Sequence, residues 1–125
     1  LMSNSDNVLR GGLTPKFIDV EELIKHIRFE AVSPEIMNGS HDGMESKYLC
    51  PVPDFSLSRI TIPAGDEYQF TADGPEIQFV LEGRGQADGT GQWKMDKGKA
   101  YFAANGEQLR IRSEEALVMV KAWVP

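Results

Sequence analysis

A carboxylate, a guanidinium and an ammonium gather near the start of the chain. Asp6, Arg10 and Lys16 stand in the run Ser5-Asp6-Asn7-Val8-Leu9-Arg10-Gly11-Gly12-Leu13-Thr14-Pro15-Lys16. Arginine makes planar, two-pronged contacts with carboxylate or phosphate, and lysine acts as a point charge. Gly11-Gly12 lets the backbone take conformations that other residues resist. Pro15 fixes its own φ and pushes Thr14 toward an extended conformation. The segment is expected to form a bent loop with Arg10 and Lys16 at either end. Two such cations on one constrained loop suit a small anionic ligand, and function concentrates on loops held in this way. A surface loop with solvated charges fits the same residue types.

The elements that must position this loop follow from the rest of the chain. With 125 residues it is long enough for one domain with a substantial core. Apolar residues make up 41% and charged residues 26%, the balance of an ordinary globular protein. A net charge of −6 argues against general binding to a nucleic-acid backbone, while leaving room for a local cationic pocket. Cys50 stands alone, so it forms no internal disulfide and no cysteine metal cluster. Within Tyr48-Leu49-Cys50-Pro51-Val52-Pro53 it reads as a small hydrophobe. No apolar run approaches the ~18 residues of a membrane span, and no basic-then-apolar leader opens the sequence. A reducing, cytoplasmic setting is expected.

One helix and a series of strands are legible. Asp19 can cap a helix with Glu22 three residues later, and Val20, Leu23, Ile24 and Ile27 recur at helical spacing. A short helix is expected over 20–27, with Glu21 and Lys25 as an i,i+4 pair and His26 facing solvent. Phe29 to Val32 alternates like a strand, and residues 33–46 read as a loop containing His41. From Phe55 onward, short alternating runs are separated by Gly, Pro, Asn and Asp turns, ending in the nearly continuous apolar run Ala116 to Trp123. Turn signals at this spacing indicate a sandwich, jelly roll or barrel. Arg110, Arg112, Glu114 and Glu115 read as a solvated strand and turn.

The run from Ser5 to Lys16, continuing into Phe17-Ile18-Asp19-Val20-Glu21-Glu22-Leu23, resembles the signature segment of type I mannose-6-phosphate isomerases, also called phosphomannose isomerases. The glycines at 65, 83 and 98, with Phe102, resemble the skeleton of a cupin barrel. The resemblance implies an all-β fold, a cupin-like antiparallel β-barrel or jelly roll with one short N-terminal helix at about 20–27. It also implies a division into an active-site loop segment at 1–18, belonging with the catalytic part of a parent enzyme, and a C-terminal cupin-like domain at 19–125.

The family's zinc is held by a Gln, a Glu and two His that all precede the signature segment. The histidines of this sequence are His26 and His41, and residues 55–125 contain none. Neither histidine matches a family ligand. Zinc is therefore expected in the full-length enzyme and not in this fragment, which on its own is expected to be inactive. By resemblance the parent enzyme interconverts mannose 6-phosphate and fructose 6-phosphate. Arg10 matches the catalytic cation, and Lys16 and Asp6 match substrate-binding positions. The partners implied are a phosphosugar and the N-terminal catalytic part of the same polypeptide, with no nucleic acid and no membrane. The alternative is a metal-free cupin-like structural or carbohydrate-binding module, favoured if translation starts at Met2.

Overall fold

The computed structural model describes residues 8–125, so Asp6 lies outside the described residues. They fall into two units, the first ending at Ile36 and the second spanning Met37–Pro125. The first unit holds the loop and helix α1, Val20–His26. The Asp19 carboxylate accepts from the Glu22 N–H at 3.0 Å, the N-cap that the sequence indicates. The ion pairs differ from the expected Glu21–Lys25. Glu22 takes both partners, Lys25 at 2.9 Å and His26 at 3.1 Å. His26 is exposed, as expected. Phe29 to Val32 is not a strand; all four residues are exposed and pair with nothing in either sheet.

The second unit is an all-antiparallel jelly roll. Its strands are β1 Ser40–Asp42, β2 Glu45–Tyr48, β3 Ser56–Ile62, β4 Glu67–Thr71, β5 Glu76–Glu82, β6 Arg84–Asp88, β7 Gln92–Asp96, β8 Ala100–Ala103, β9 Gln108–Ser113 and β10 Leu117–Trp123. The six-stranded sheet runs β1-β2-β3-β10-β5-β8 and the four-stranded sheet β4-β9-β6-β7. Strands β3 to β10 fall on the short runs between turns that the sequence shows. The expected loop at 33–46 instead contains β1, the turn closed by Gly43 at φ +58° and the first two residues of β2. His41 therefore lies on a strand, its Nδ1 2.7 Å from Ser46 Oγ.

Side chains alternate in and out along each strand, so the inward set forms rows between the sheets. One row joins Met119 of β10 to Ile60 of β3 and Val80 of β5, and another joins Leu117 to Ile62. These residues are fully buried together with Met95 and Ile111 from the facing sheet. Burying these side chains stabilises the fold at roughly 25 cal/mol per Å² of apolar surface removed from water. The rows containing Lys121 and Trp123 are different in kind. Lys121 pairs in register with Ser58 and Gln78, and Trp123 with Glu76, so the interior has one apolar end and one polar end.

The two outer faces also differ. On the four-stranded sheet, Glu67 pairs with Arg112 at 2.9 Å and Arg110 at 3.3 Å, while Arg84 reaches Glu115 at 2.9 Å. This is the solvated charge lattice expected for Arg110 and Arg112. On the six-stranded sheet the outward residues of β5 and β8 include Ile77, Phe79, Leu81 and Phe102, all exposed.

Candidate functional site

The loop ahead of α1 is bent by Gly12, whose φ of +112° favours glycine. A Cβ on Gly11 would stand 3.1 Å from Leu23 Cδ2, so the loop runs close against the helix. The Lys16 N–H donates to Thr14 Oγ1 at 3.2 Å, closing the small hydroxyl turn that Thr-Pro-Lys favours. Arg10 and Lys16 are both exposed. Among the described residues neither makes an ion pair. The loop thus carries both cations on backbone held by a turn and by the Gly11–Leu23 approach.

A second constellation lies inside the jelly roll. Lys121 Nζ is 2.9 Å from Glu45 Oε1, and both side chains are about nine-tenths buried. The ammonium also stands 4.7 Å from the centroid of the Phe70 ring and 4.9 Å from that of Trp123, close enough for cation–π attraction. Ser58 Oγ donates to Glu45 Oε1 at 2.6 Å and the Tyr68 hydroxyl donates to Oε2 at 2.8 Å. Beside them, Gln78 Nε2 donates to Glu76 Oε1 at 3.0 Å.

The electrostatics follow from these contacts. Burial pushes the Glu45 carboxyl up, but hydrogen bonds from Ser58, Lys121 and Tyr68 outweigh it and hold the group below the usual carboxylate range. Burial first, and then the Glu45 carboxylate, push the Tyr68 phenol up, so it stays a proton donor. Burial also raises Glu76, only partly opposed by Lys121. Among the described residues no buried side-chain nitrogen or oxygen lacks a partner. The network is a satisfied one, which buried polar groups must be to avoid a large cost.

This interior does not fit a zinc ion. Its central group is an ammonium, which donates only, and that ammonium already occupies Glu45. Among the described residues no three His, Cys, Asp or Glu side chains converge. His26 is engaged with Glu22 on the helix and His41 with Ser46 on the hairpin.

Sequence reasoning singled out Arg10 and Lys16 but missed the Glu45–Lys121 network. One signal was available: Lys121 is the charged residue within the apolar run Ala116 to Trp123. Glu45 had no comparable signal, since it follows Gly43-Met44 in a stretch that reads as a loop.

A family model described as phosphomannose isomerase type I C-terminal matches residues 48–87. The mannose-6-phosphate isomerase of Escherichia coli (strain K12) is 33% identical over 124 residues, covering 96% of this chain and 32% of that protein. Mannose-6-phosphate isomerase 2 of Arabidopsis thaliana is 32% identical over 116 residues, covering 90% of this chain and 26% of that protein. The chain therefore spans about a third or less of the length of these relatives. A crystal structure of a point mutant of phosphomannose isomerase from Salmonella typhimurium superposes with a TM-score of 0.77 at 27% identity, covering 97% of this chain and 32% of that one. Ectoine synthase from P. lautus superposes with a TM-score of 0.58 at 19% identity over 70% of this chain and 69% of that one, a likeness of fold alone.

Proposed function

This chain belongs to the type I phosphomannose isomerase family, in its C-terminal region, and from that footing we propose that it serves a zinc-dependent isomerase interconverting mannose 6-phosphate and fructose 6-phosphate. The observation that carries the reading is a sequence match running over nearly the whole chain. The exposed cations of the loop support it, because a phosphosugar isomerase needs one positive group for the phosphate and another near the reacting carbons.

The reaction moves a proton between C1 and C2 of the sugar through an enediol-like intermediate, during which negative charge develops on a sugar oxygen. Arg10 would stabilise that charge, the role of a preorganised cation in a site sheltered from water. Lys16 would hold the phosphate, present equally in substrate and transition state. Asp6 would orient Arg10 or bind sugar hydroxyls. Zinc would supply polarisation of the sugar oxygens, held, as the family resemblance implies, by residues that precede the signature segment.

A partner within the same polypeptide is supported by apolar surface on each unit. Val20, Ile24 and Ile27 of α1 are exposed, and so are Ile77, Phe79, Leu81 and Phe102 of the jelly roll. Contiguous exposed apolar residues of this size mark interaction surfaces. A cytoplasmic setting suits a sugar-phosphate enzyme with a lone cysteine.

A chimaera tests the reading. This chain would replace the matching C-terminal third of the Escherichia coli enzyme, and mannose 6-phosphate isomerisation would be followed in a coupled assay. Turnover within about tenfold of the parent supports the proposal. A folded, zinc-loaded chimaera without turnover would contradict it.

A further inference from the structure

Between the two sheets, on the side where β7 and β8 adjoin, lies a cavity of about 260 Å³. Inward side chains of both sheets wall it: Gln78 of β5, Ala87 of β6, Trp93 and Met95 of β7, Tyr101 of β8 and Leu109 of β9. Every residue that lines it belongs to the jelly roll. We propose that this cavity binds a small, uncharged, polyhydroxylated ring: a monosaccharide without a phosphate.

The lining selects this chemistry in three steps. No ionised side chain lines the cavity, so an anion has no counter-charge there and a cation no carboxylate. The volume falls below the ~300–1,000 Å³ of sites for drug-sized ligands, which limits the occupant to about one ring. The walls are mostly aromatic and apolar, with one oriented polar group, the arrangement that binds a small molecule by its flat face and fixes it by its rim.

The polar group is the Gln78 amide. Its Nε2 donates to Glu76 Oε1 at 3.0 Å, which holds the amide plane and leaves its oxygen and its second N–H for a ligand. A wholly apolar occupant would leave those groups unpaired, whereas neighbouring hydroxyls of a sugar offer both a donor and an acceptor. The Tyr101 hydroxyl is already used. It donates to the Lys94 carbonyl at 2.5 Å and accepts the Asp96 N–H at 3.0 Å, so Tyr101 offers its ring alone.

The aromatic wall is held in place by backbone. A Cβ on Gly89 would stand 3.0 Å from Trp93 Cζ3, and one on Gly91 would stand 3.4 Å from Cζ2. The two glycines of the β6–β7 turn therefore leave the space that the indole fills. An indole fixed in this way presents a π face whose negative quadrupole attracts the slightly positive C–H groups on the face of a pyranose.

The test uses this chain with Trp93 and Trp123 as its two tryptophans, so two indole N–H signals report two places in the jelly roll. D-Mannose, D-glucose and mannose 6-phosphate would be titrated separately against ¹⁵N-labelled protein. A saturable shift of the Trp93 signal with the neutral hexoses is expected, without a matching shift at Trp123 and with no tighter binding of the phosphate ester. Ala87→Leu, which fills the cavity, should abolish the shift. Gln78→Met, of similar volume, should weaken binding at least about fivefold, the worth of one ordinary hydrogen bond, and further where both polar groups of the amide are used. No shift with neutral hexoses, tighter binding of the phosphate ester at Trp93, or unchanged affinity in folded Ala87→Leu and Gln78→Met proteins would each overturn the proposal. Saturable binding of indole with no response to hexoses would also overturn it, by showing a plain apolar slot.

Discussion

Lys121 Nζ stands 2.9 Å from Glu45 Oε1 inside the jelly roll, under the rings of Phe70 and Trp123. The pair joins β10 to β2 through Ser58 on the strand between them. Both charges have left water, so each depends on the other for its compensation.

Glu45→Gln should therefore cost about 3–5 kcal/mol, the usual cost of leaving one member of a buried pair alone. The double change Glu45→Leu with Lys121→Met should recover much of that loss, because the desolvation of both charges disappears. Urea unfolding monitored by circular dichroism gives both values. A loss below about 1 kcal/mol for Glu45→Gln would mean that the pair behaves as a solvated one.

The two buried glutamates should give opposite pH signatures. Glu45 is held below its ordinary value of 4.5, so its contribution is present above 4.5 and is lost as pH falls through its lower folded value. Glu76 is raised above 4.5, so its ionised form costs stability near neutrality and that cost is relieved as pH falls through its raised value. Glu45→Gln should flatten the acid side of the stability profile below 4.5. Glu76→Gln should be at least as stable as wild type at neutral pH, with a flatter profile just above 4.5. A lower melting temperature for Glu76→Gln at neutral pH would reverse the sign assigned here.

Two glycines with similar φ should behave differently when given a side chain. Gly98 has φ +81° with open space around it, so Gly98→Ala should cost only the ~1–2 kcal/mol of a left-handed alanine. Gly83 has φ +77°, and a Cβ there would overlap the Ala116 carbonyl at the start of β10. Gly83→Ala should cost well beyond that figure, because backbone and not a flexible side chain must move. Equal melting temperatures for the two variants would contradict this packing of the β5–β6 corner.

Much of the architecture was legible because local and tertiary demands agree. Asp19 and Glu22 mark the helix start by cap chemistry alone. From β3 to β10 the short runs between Gly-rich turns are the strands, and in β3, β4, β7 and β9 their alternating apolar residues point inward; in β5 the alternation is inverted, with Ile77, Phe79 and Leu81 outward and Glu76 and Gln78 inward. Where the two demands diverge, the reading fails. Phe29 to Val32 alternates as a strand does, yet no neighbouring strand pairs with it. The β1–β2 hairpin is nearly all polar, so no hydrophobic period announces it, and the chain forms it because β3 offers an edge. Glu45 was hidden for the same reason: its inward position depends on pairing with β3. Lys121 was visible as a charge in an apolar run, but its partner could not be named without the register. Arg10 and Lys16 stood out because residue type, turn chemistry and family resemblance coincide on a single loop.

The central claim is that the loop before α1 acts on a phosphosugar, and steady-state kinetics of Arg10→Ala and Lys16→Ala in an active polypeptide carrying this chain tests it most directly. Arg10→Ala should lower turnover about 100- to 1000-fold with little change in melting temperature, as for loss of a group that stabilises developing charge. Lys16→Ala should raise KM for mannose 6-phosphate more than it lowers kcat, because phosphate binding serves ground state and transition state alike. Near-wild-type turnover of Arg10→Ala, or activity falling only in step with stability in both variants, would contradict the account and leave the loop a scaffold.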